Sequence, residues 1–263
     1  MFNSVVTDLR MLLRVPISVF FTLALPVMLL VVMMLTYGNF PLGGNLHFVD
    51  KYVLISIGMG IIPLTLITLP IWIGSSIESN HVLRLRYLHV NLTRLAISNL
   101  IAHFCMGIFG VLVNVAMAKI IFGLTFPDLP HFLAFFSQVV ITLISMMLVG
   151  STLGLLLKKT TIILPVGLIL MFIIYMFCGA FGKYDNLPDR LKTISQFLPV
   201  KYLMNDSFSV WAGRSYGDDN FYILSAAYFS IFLVLLVVLT RFRINIMFNK
   251  RVVSPSIQRT EKK

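Results

Sequence analysis

Charge is scarce in this sequence. Of its 263 residues only 12% are Asp, Glu, Lys or Arg, and only 10 are acidic, whereas a soluble domain carries about a quarter charged residues. With 58% hydrophobic residues, the chain has too little polar surface to fold in water, and its solvent must be lipid. Cysteine is scarce as well. Cys105 and Cys178 both fall in or beside apolar runs and read as buried thiols, which excludes a disulfide framework. Catalytic motifs are missing. No G-x-x-x-x-G-K-[ST] loop occurs, and the nearest imitation, GLLLKKT at Gly154–Thr160, has the wrong spacing and no glycine before its lysine. Hydrolysis of ATP by a phosphate loop is thereby excluded. No H-E-x-x-H, C-x-x-C or G-x-S-x-G pattern is present, and His47, His81, His89, His103 and His131 are scattered. No cofactor or metal is expected to bind the chain directly.

Long unbroken apolar runs are what the chain has instead. In hydrocarbon only helices and closed barrels satisfy every backbone polar group, and barrel strands alternate apolar with polar residues. The runs here do not alternate. Crossing about 30 Å of hydrocarbon takes about 20 apolar residues, and six such stretches occur: Pro16–Tyr37, Tyr52–Ser75, Asn99–Phe122, His131–Leu157, Thr161–Phe181 and Phe221–Thr240. The expected fold class is an all-α membrane protein with six transmembrane helices, a single domain over 1–263. The first run is long for a signal peptide and no A-x-A-like site follows it, so it is expected to be retained.

Charge distribution sets the orientation. With a cytoplasmic N-terminus and six alternating spans, the inside segments hold Arg10, Arg14, Arg84, Arg86, Arg94, Lys158, Lys159 and the bases of the tail 241–263, twice as many as the outside segments. Seven of the ten acids fall outside, so the whole +11 excess sits on one face. This is the positive-inside pattern. It places both termini in the cytoplasm and the basic tail against anionic lipid headgroups. Nucleic acid is not an expected partner, because no aromatic residues interleave with the bases in a soluble module.

Three segments outside the spans carry pattern. In residues 1–15, Phe2, Val5, Val6, Leu9, Leu12 and Leu13 recur at helical spacing while Asp8, Arg10 and Arg14 lie elsewhere on the wheel, which predicts an amphipathic helix in the membrane interface. The cytoplasmic segment 76–98, SIESNHVLRLRYLHVNLTRLAIS, alternates leucines with Arg84, Arg86, His89 and Arg94. It is too charged to span and is expected to be a helix that is either solvated or gripped by a partner. Glu78 stands near its start, where an acid also suits a helix N-terminus. The outer segment 182–220 is expected to form a re-entrant pair of short helices, with Pro188 opening one and Pro199 breaking it. Its aromatic residues, Tyr202 and Trp211 among them, are suited to the headgroup level. The turn Lys158–Thr160 is short enough to force spans four and five into a tight hairpin.

Within the spans no Asp or Glu occurs, which weighs against proton-coupled antiport. His103 and Lys119 lie near the ends of the third span. Asn114 and Gln138 are expected to hydrogen-bond between helices, with contact to a substrate as the other reading. Gly150 and Gly154 form a G-x-x-x-G pair in span four, which fits close helix packing within one subunit and between two subunits equally well.

The layout resembles the permease subunits of type-2 ATP-binding-cassette exporters over nearly the whole chain. The resemblance rests on the N-terminal amphipathic helix, on SSIESNHVLRLRYLHVNLTRLAISNLIAHF between spans two and three, and on GAFGKYDNLPDRLKTISQFLPVKYLMNDSFSVWAG between spans five and six. In the latter, Leu187-Pro188, Leu198-Pro199, Tyr202 and Gly213 match the family's outer signature. In the cytoplasmic segment, Asn80 and His89-Val90-Asn91 depart from the family's pattern, standing where a glycine and a proline turn are usual. The resemblance implies a dimer of permeases, identical or different, resting on separate cytoplasmic ATPases that bind ATP and Mg. Glu78, Arg84, Arg86 and Arg94 would belong to the coupling segment. The cell membrane, bacterial by resemblance, is the expected location, and an amphipathic or lipid-like cargo is expected along apolar and aromatic positions of spans one, two and five. The readings from other classes are an autonomous channel or secondary transporter, and a non-transporting immunity or assembly protein.

Overall fold

The computed structural model describes residues 2–79, 92–182 and 184–253. The segment 80–91, with Arg84, Arg86 and the departures at Asn80 and His89–Asn91, lies outside the described residues, as do Met1, Lys183 and the tail beyond Val253. Among the described residues, six helices are long and apolar enough to cross a membrane: span one, Pro16–Tyr37; span two, Phe48–Glu78; span three, Arg94–Phe122; span four, Leu129–Leu157; span five, Thr160–Phe177; and span six, Asp219–Arg241. A separate helix, Phe2–Arg14, precedes span one.

The ends of the spans follow from local chemistry. Pro16 and Pro130 sit in the first turns of spans one and four, where a missing N–H costs nothing. Span five stops four residues earlier than the apolar run suggests. Gly179, at φ +67°, lets Ala180 N–H reach back to the Tyr175 carbonyl at 3.0 Å, a left-handed cap that ends the helix. Lys158, at φ 64°, turns the chain between spans four and five, and the tight hairpin is present. The spanning helices themselves continue into both edges of 76–98, since span two runs on to Glu78 and the helix of span three begins at Leu92. Two short strands, Pro41–Gly43 and Leu46–His47, pair antiparallel between spans one and two, so the fold is not purely helical. Gly43 and Gly44, both at positive φ, make that turn.

Span two is the axis of the bundle. Its apolar stretch is wholly buried, whereas little of that of span six is buried, and it packs against spans one, three, four and five. The G-x-x-x-G pair belongs to this packing. A methyl group on Gly150 would run into the Thr65 carbonyl oxygen, and one on Gly154 would lie 3.0 Å from the Pro70 backbone. The glycines of span four therefore seat span two of the same chain.

Spans one and two share a device that makes such contacts possible. Each contains a π-turn, Phe20–Ala24 and Leu64–Thr68, followed at once by Leu-Pro, at Leu25-Pro26 and Leu69-Pro70. A proline has no N–H for the carbonyl four residues back. Those carbonyls belong to Thr22 and Leu66. Each lies against a glycine of another span, the Thr22 oxygen 3.0 Å from a Cβ built on Gly110 and the Leu66 oxygen 2.6 Å from one built on Gly167. Glycine lets the backbones close on each other where the helical ladder is broken.

One acid escaped the reading of the runs. Span two starts at Phe48, so Asp50 lies in its first turn and is fully buried. Its carboxylate accepts from His47 N–H at 2.6 Å, Thr125 N–H at 2.7 Å and Thr125 O–H at 2.8 Å. The loop between spans three and four is thereby pinned to the head of span two, and Trp211 Nε1 donates to the Thr125 carbonyl at 3.1 Å. Asp50→Ala leaves two partly buried N–H donors unpaired and is expected to cost about 2 kcal/mol. Thermal unfolding in detergent would check this, an unchanged midpoint being the contrary result.

Candidate coupling site

Glu78 ends span two, and its carboxylate is exposed. It nevertheless has a definite partner, because Oε2 accepts from Thr160 N–H at 3.1 Å and from Thr160 O–H at 2.8 Å. Thr160 is the first residue of span five, whose leading N–H groups have no partner within the helix. The acid expected to cap a helix does cap one, and that helix belongs to a different span. Lys159, beside it, supplies a favourable charge. Close packing reinforces the joint, since Gly74, one turn before Glu78, lies against the Ile163 side chain. Span two is thus fixed to the start of span five at the point where the chain leaves for 80–91.

Arg94, at the far side of that segment, is exposed at the start of span three. Close to it, Ser98 donates to the Asp8 carboxylate at 2.8 Å, and the helix Phe2–Arg14 packs along the third helix with Leu12 buried. The structure therefore gathers Glu78, Thr160, the N-terminal helix and the head of span three around the two ends of 80–91.

On the opposite face, residues between spans five and six form the short helices Asp189–Ser195 and Pro199–Lys201, the second continuing through Tyr202–Asp206 and Ser207–Trp211. Pro188 immediately precedes the first, and Pro199 opens the second. Tyr202 is buried against the Phe221 ring at 6.1 Å. Lys201 meets Asp206 at 2.6 Å and lies 4.5 Å from the centre of the Tyr202 ring. Burial raises the Asp206 carboxyl above its ordinary value, and the Lys201 ammonium opposes this. Sequence reasoning missed Asp206 because an acid outside the spans reads as loop charge.

Polar residues at depth behave as helix ties. Ser56 donates to Asn114 Oδ1 at 3.0 Å, and Ser207 donates to Gln138 Oε1 at 2.7 Å. The Lys119 ammonium reaches the Leu124 carbonyl at 2.9 Å just past the end of span three. Cys178 is buried as expected, but Cys105 faces outward on span three. Span two, expected to offer cargo contacts, presents none of its buried apolar side chains. Exposed apolar residues lie on spans one and five, such as Leu35, Phe172 and Met176, and on spans three, four and six as well.

Glu78→Ala removes the only side-chain cap described at the head of span five. Its exposure makes the expected change in unfolding temperature small, while the expected loss of transport is large, and parallel melting and transport assays would separate the two. Equal transport by this variant and the parent would mean that the cap has no part in coupling.

No curated protein and no solved structure matches the chain. The family model described as ABC-2 type transporter does match, over residues 5–210, from the N-terminal helix through all but the last residue of the outer helix that ends at Trp211. The chain is therefore a member of the ABC-2 type transporter family, a multi-pass membrane permease whose kind works with an ABC ATPase.

Proposed function

We propose that this permease exports an amphipathic or lipid-like cargo across the cell membrane of a bacterium, driven by ATP and Mg bound in a separate cytoplasmic ATPase. Two permease chains pair, each resting on its ATPase, with both termini in the cytoplasm. Residues 80–91, bearing Arg84 and Arg86, dock with Arg94 into the ATPase. The helix Phe2–Arg14 lies in the inner interface beside them. The helices of 182–220, with Pro188, Pro199 and Tyr202, form a re-entrant hairpin in the outer leaflet and close the exit.

The observation that carries this reading is the Glu78–Thr160 cap. A segment that merely satisfied the positive-inside rule would need no bond to a distant helix. Here the start of the segment holds the first turn of span five, so a pull on 80–91 moves spans two and five together. The apolar exposed faces of spans one and five suit a cargo without matched charge. An autonomous channel has less support, since Asp50, the one fully buried acid among the described residues of the spans, is occupied in a structural bond network.

Reconstitution in liposomes with the cognate ATPase tests the proposal. The expected result is cargo movement that needs ATP and stops when the ATPase is inactivated. Movement through the chain alone, without ATP, would favour the channel.

A further inference from the structure

Spans one, two and three meet where each is least regular or smallest. Span one has its π-turn and Pro26 there, span two has Gly60, and span three has Gly107 and Gly110. Between them lies a cavity of about 10 Å³, walled by these residues together with Thr22 and Asn114. That size is at the lower end of what admits one water molecule.

The wall has polar groups with no protein partner. Thr22 Oγ1 and Asn114 Nδ2 make no hydrogen bond among the described residues, although their residues are only 3% and 2% exposed. Asn114 Oδ1 lies 3.0 Å from the Ser56 hydroxyl, whose proton is shared with the Val53 carbonyl at 2.9 Å, and its NH₂ group is the donor left without a partner. The Thr22 carbonyl adds an acceptor, since Pro26 cannot supply its α-helical donor, and it lies against Gly60 and Gly110 in the same wall. Two polar side-chain atoms without a partner among the described residues, and a carbonyl without its α-helical donor, thus belong to residues that wall this space.

We infer that this junction of spans one, two and three is a binding site for a single structural water. The water accepts from Asn114 Nδ2–H, donates to the Thr22 carbonyl, and exchanges its remaining bond with the Thr22 hydroxyl. A cation does not suit the site, because the Asn114 N–H dipole opposes it. An apolar atom would leave every polar group unpaired. Only a small neutral molecule that both donates and accepts satisfies all three. The consequence is a wet joint, in which span one is tied to span three through water at its π-turn instead of by a direct side-chain bond.

X-ray radiolytic labelling of the full-length protein in its membrane tests the site, because a bound water generates hydroxyl radical in place and oxidises its neighbours. Pro26, Ile57 and Ile61 border the cavity, whereas Leu54 and Ile62 of span two are fully buried away from it. The expected result is oxidation of the first group several-fold faster than the second. Equal, background labelling of both groups overturns the inference. Asn114→Leu keeps the side-chain volume, and Ser56 retains the Val53 carbonyl at 2.9 Å, so this variant is expected to lose the extra labelling. Thr22→Val is a second, milder variant with the same expected outcome. Labelling that persists unchanged in both would overturn the assigned partners.

Discussion

Reversing Arg84 and Arg86 together to glutamate is expected to abolish transport while the permease still inserts and folds. The reasoning starts from what surrounds these residues. Glu78 holds the near end of 80–91 to the first turn of span five through Thr160. At the far end, Ser98 is bonded to Asp8 of the N-terminal helix. A short segment anchored on both sides transmits force only if something outside grips its middle, and its bases are the groups an acidic groove would hold. Two charge reversals turn attraction into repulsion there and remove neither anchor. Membrane yield and melting temperature should match the parent, while ATP-dependent cargo movement falls to background. Normal transport by the double variant would sink the assignment of 80–91 as the coupling segment.

Gly150→Ala is expected to be the most damaging single methyl group in the chain. The Thr65 carbonyl occupies the place where that methyl must go, and neither partner can move away, since both are backbone within packed helices. Span four would have to part from span two along its whole contact. Overpacking of this kind costs about 3 kcal/mol, a large share of the 5–15 kcal/mol that holds a typical domain together. Gly182→Ala is the control, because nothing lies within 4 Å of the added carbon. Thermal unfolding of the two variants should show a clear loss for Gly150→Ala and none for Gly182→Ala. Similar midpoints would mean that spans two and four are not in such close contact.

Hydrophobic runs made the six spans legible, because a run long enough to cross lipid has few alternatives. Which span lies at the centre was not legible. In a membrane the outside of the bundle is as apolar as the inside, so span two and span six look alike in composition although one is buried and the other is not. Proline and glycine positions held a readable signal that periodicity does not capture. Pro26 and Pro70 withhold the α-helical donors of the Thr22 and Leu66 carbonyls, and Gly110 and Gly167 lie against those carbonyls. Asp50 was counted as loop charge, because hydropathy starts the run two residues after it, whereas the helix begins at Phe48. Glu78 was recognised as an acid suited to a cap. Its partner, Thr160, is 82 residues away in sequence, a distance that no local pattern bridges.

The most direct measurement is gentle detergent purification of the tagged permease from its own cell, with identification of what accompanies it. The account predicts a stoichiometric cytoplasmic protein carrying a phosphate loop, lost from the R84E/R86E variant and retained by Gly182→Ala. Clean recovery of the permease alone, in a detergent that keeps known membrane complexes intact, would contradict it.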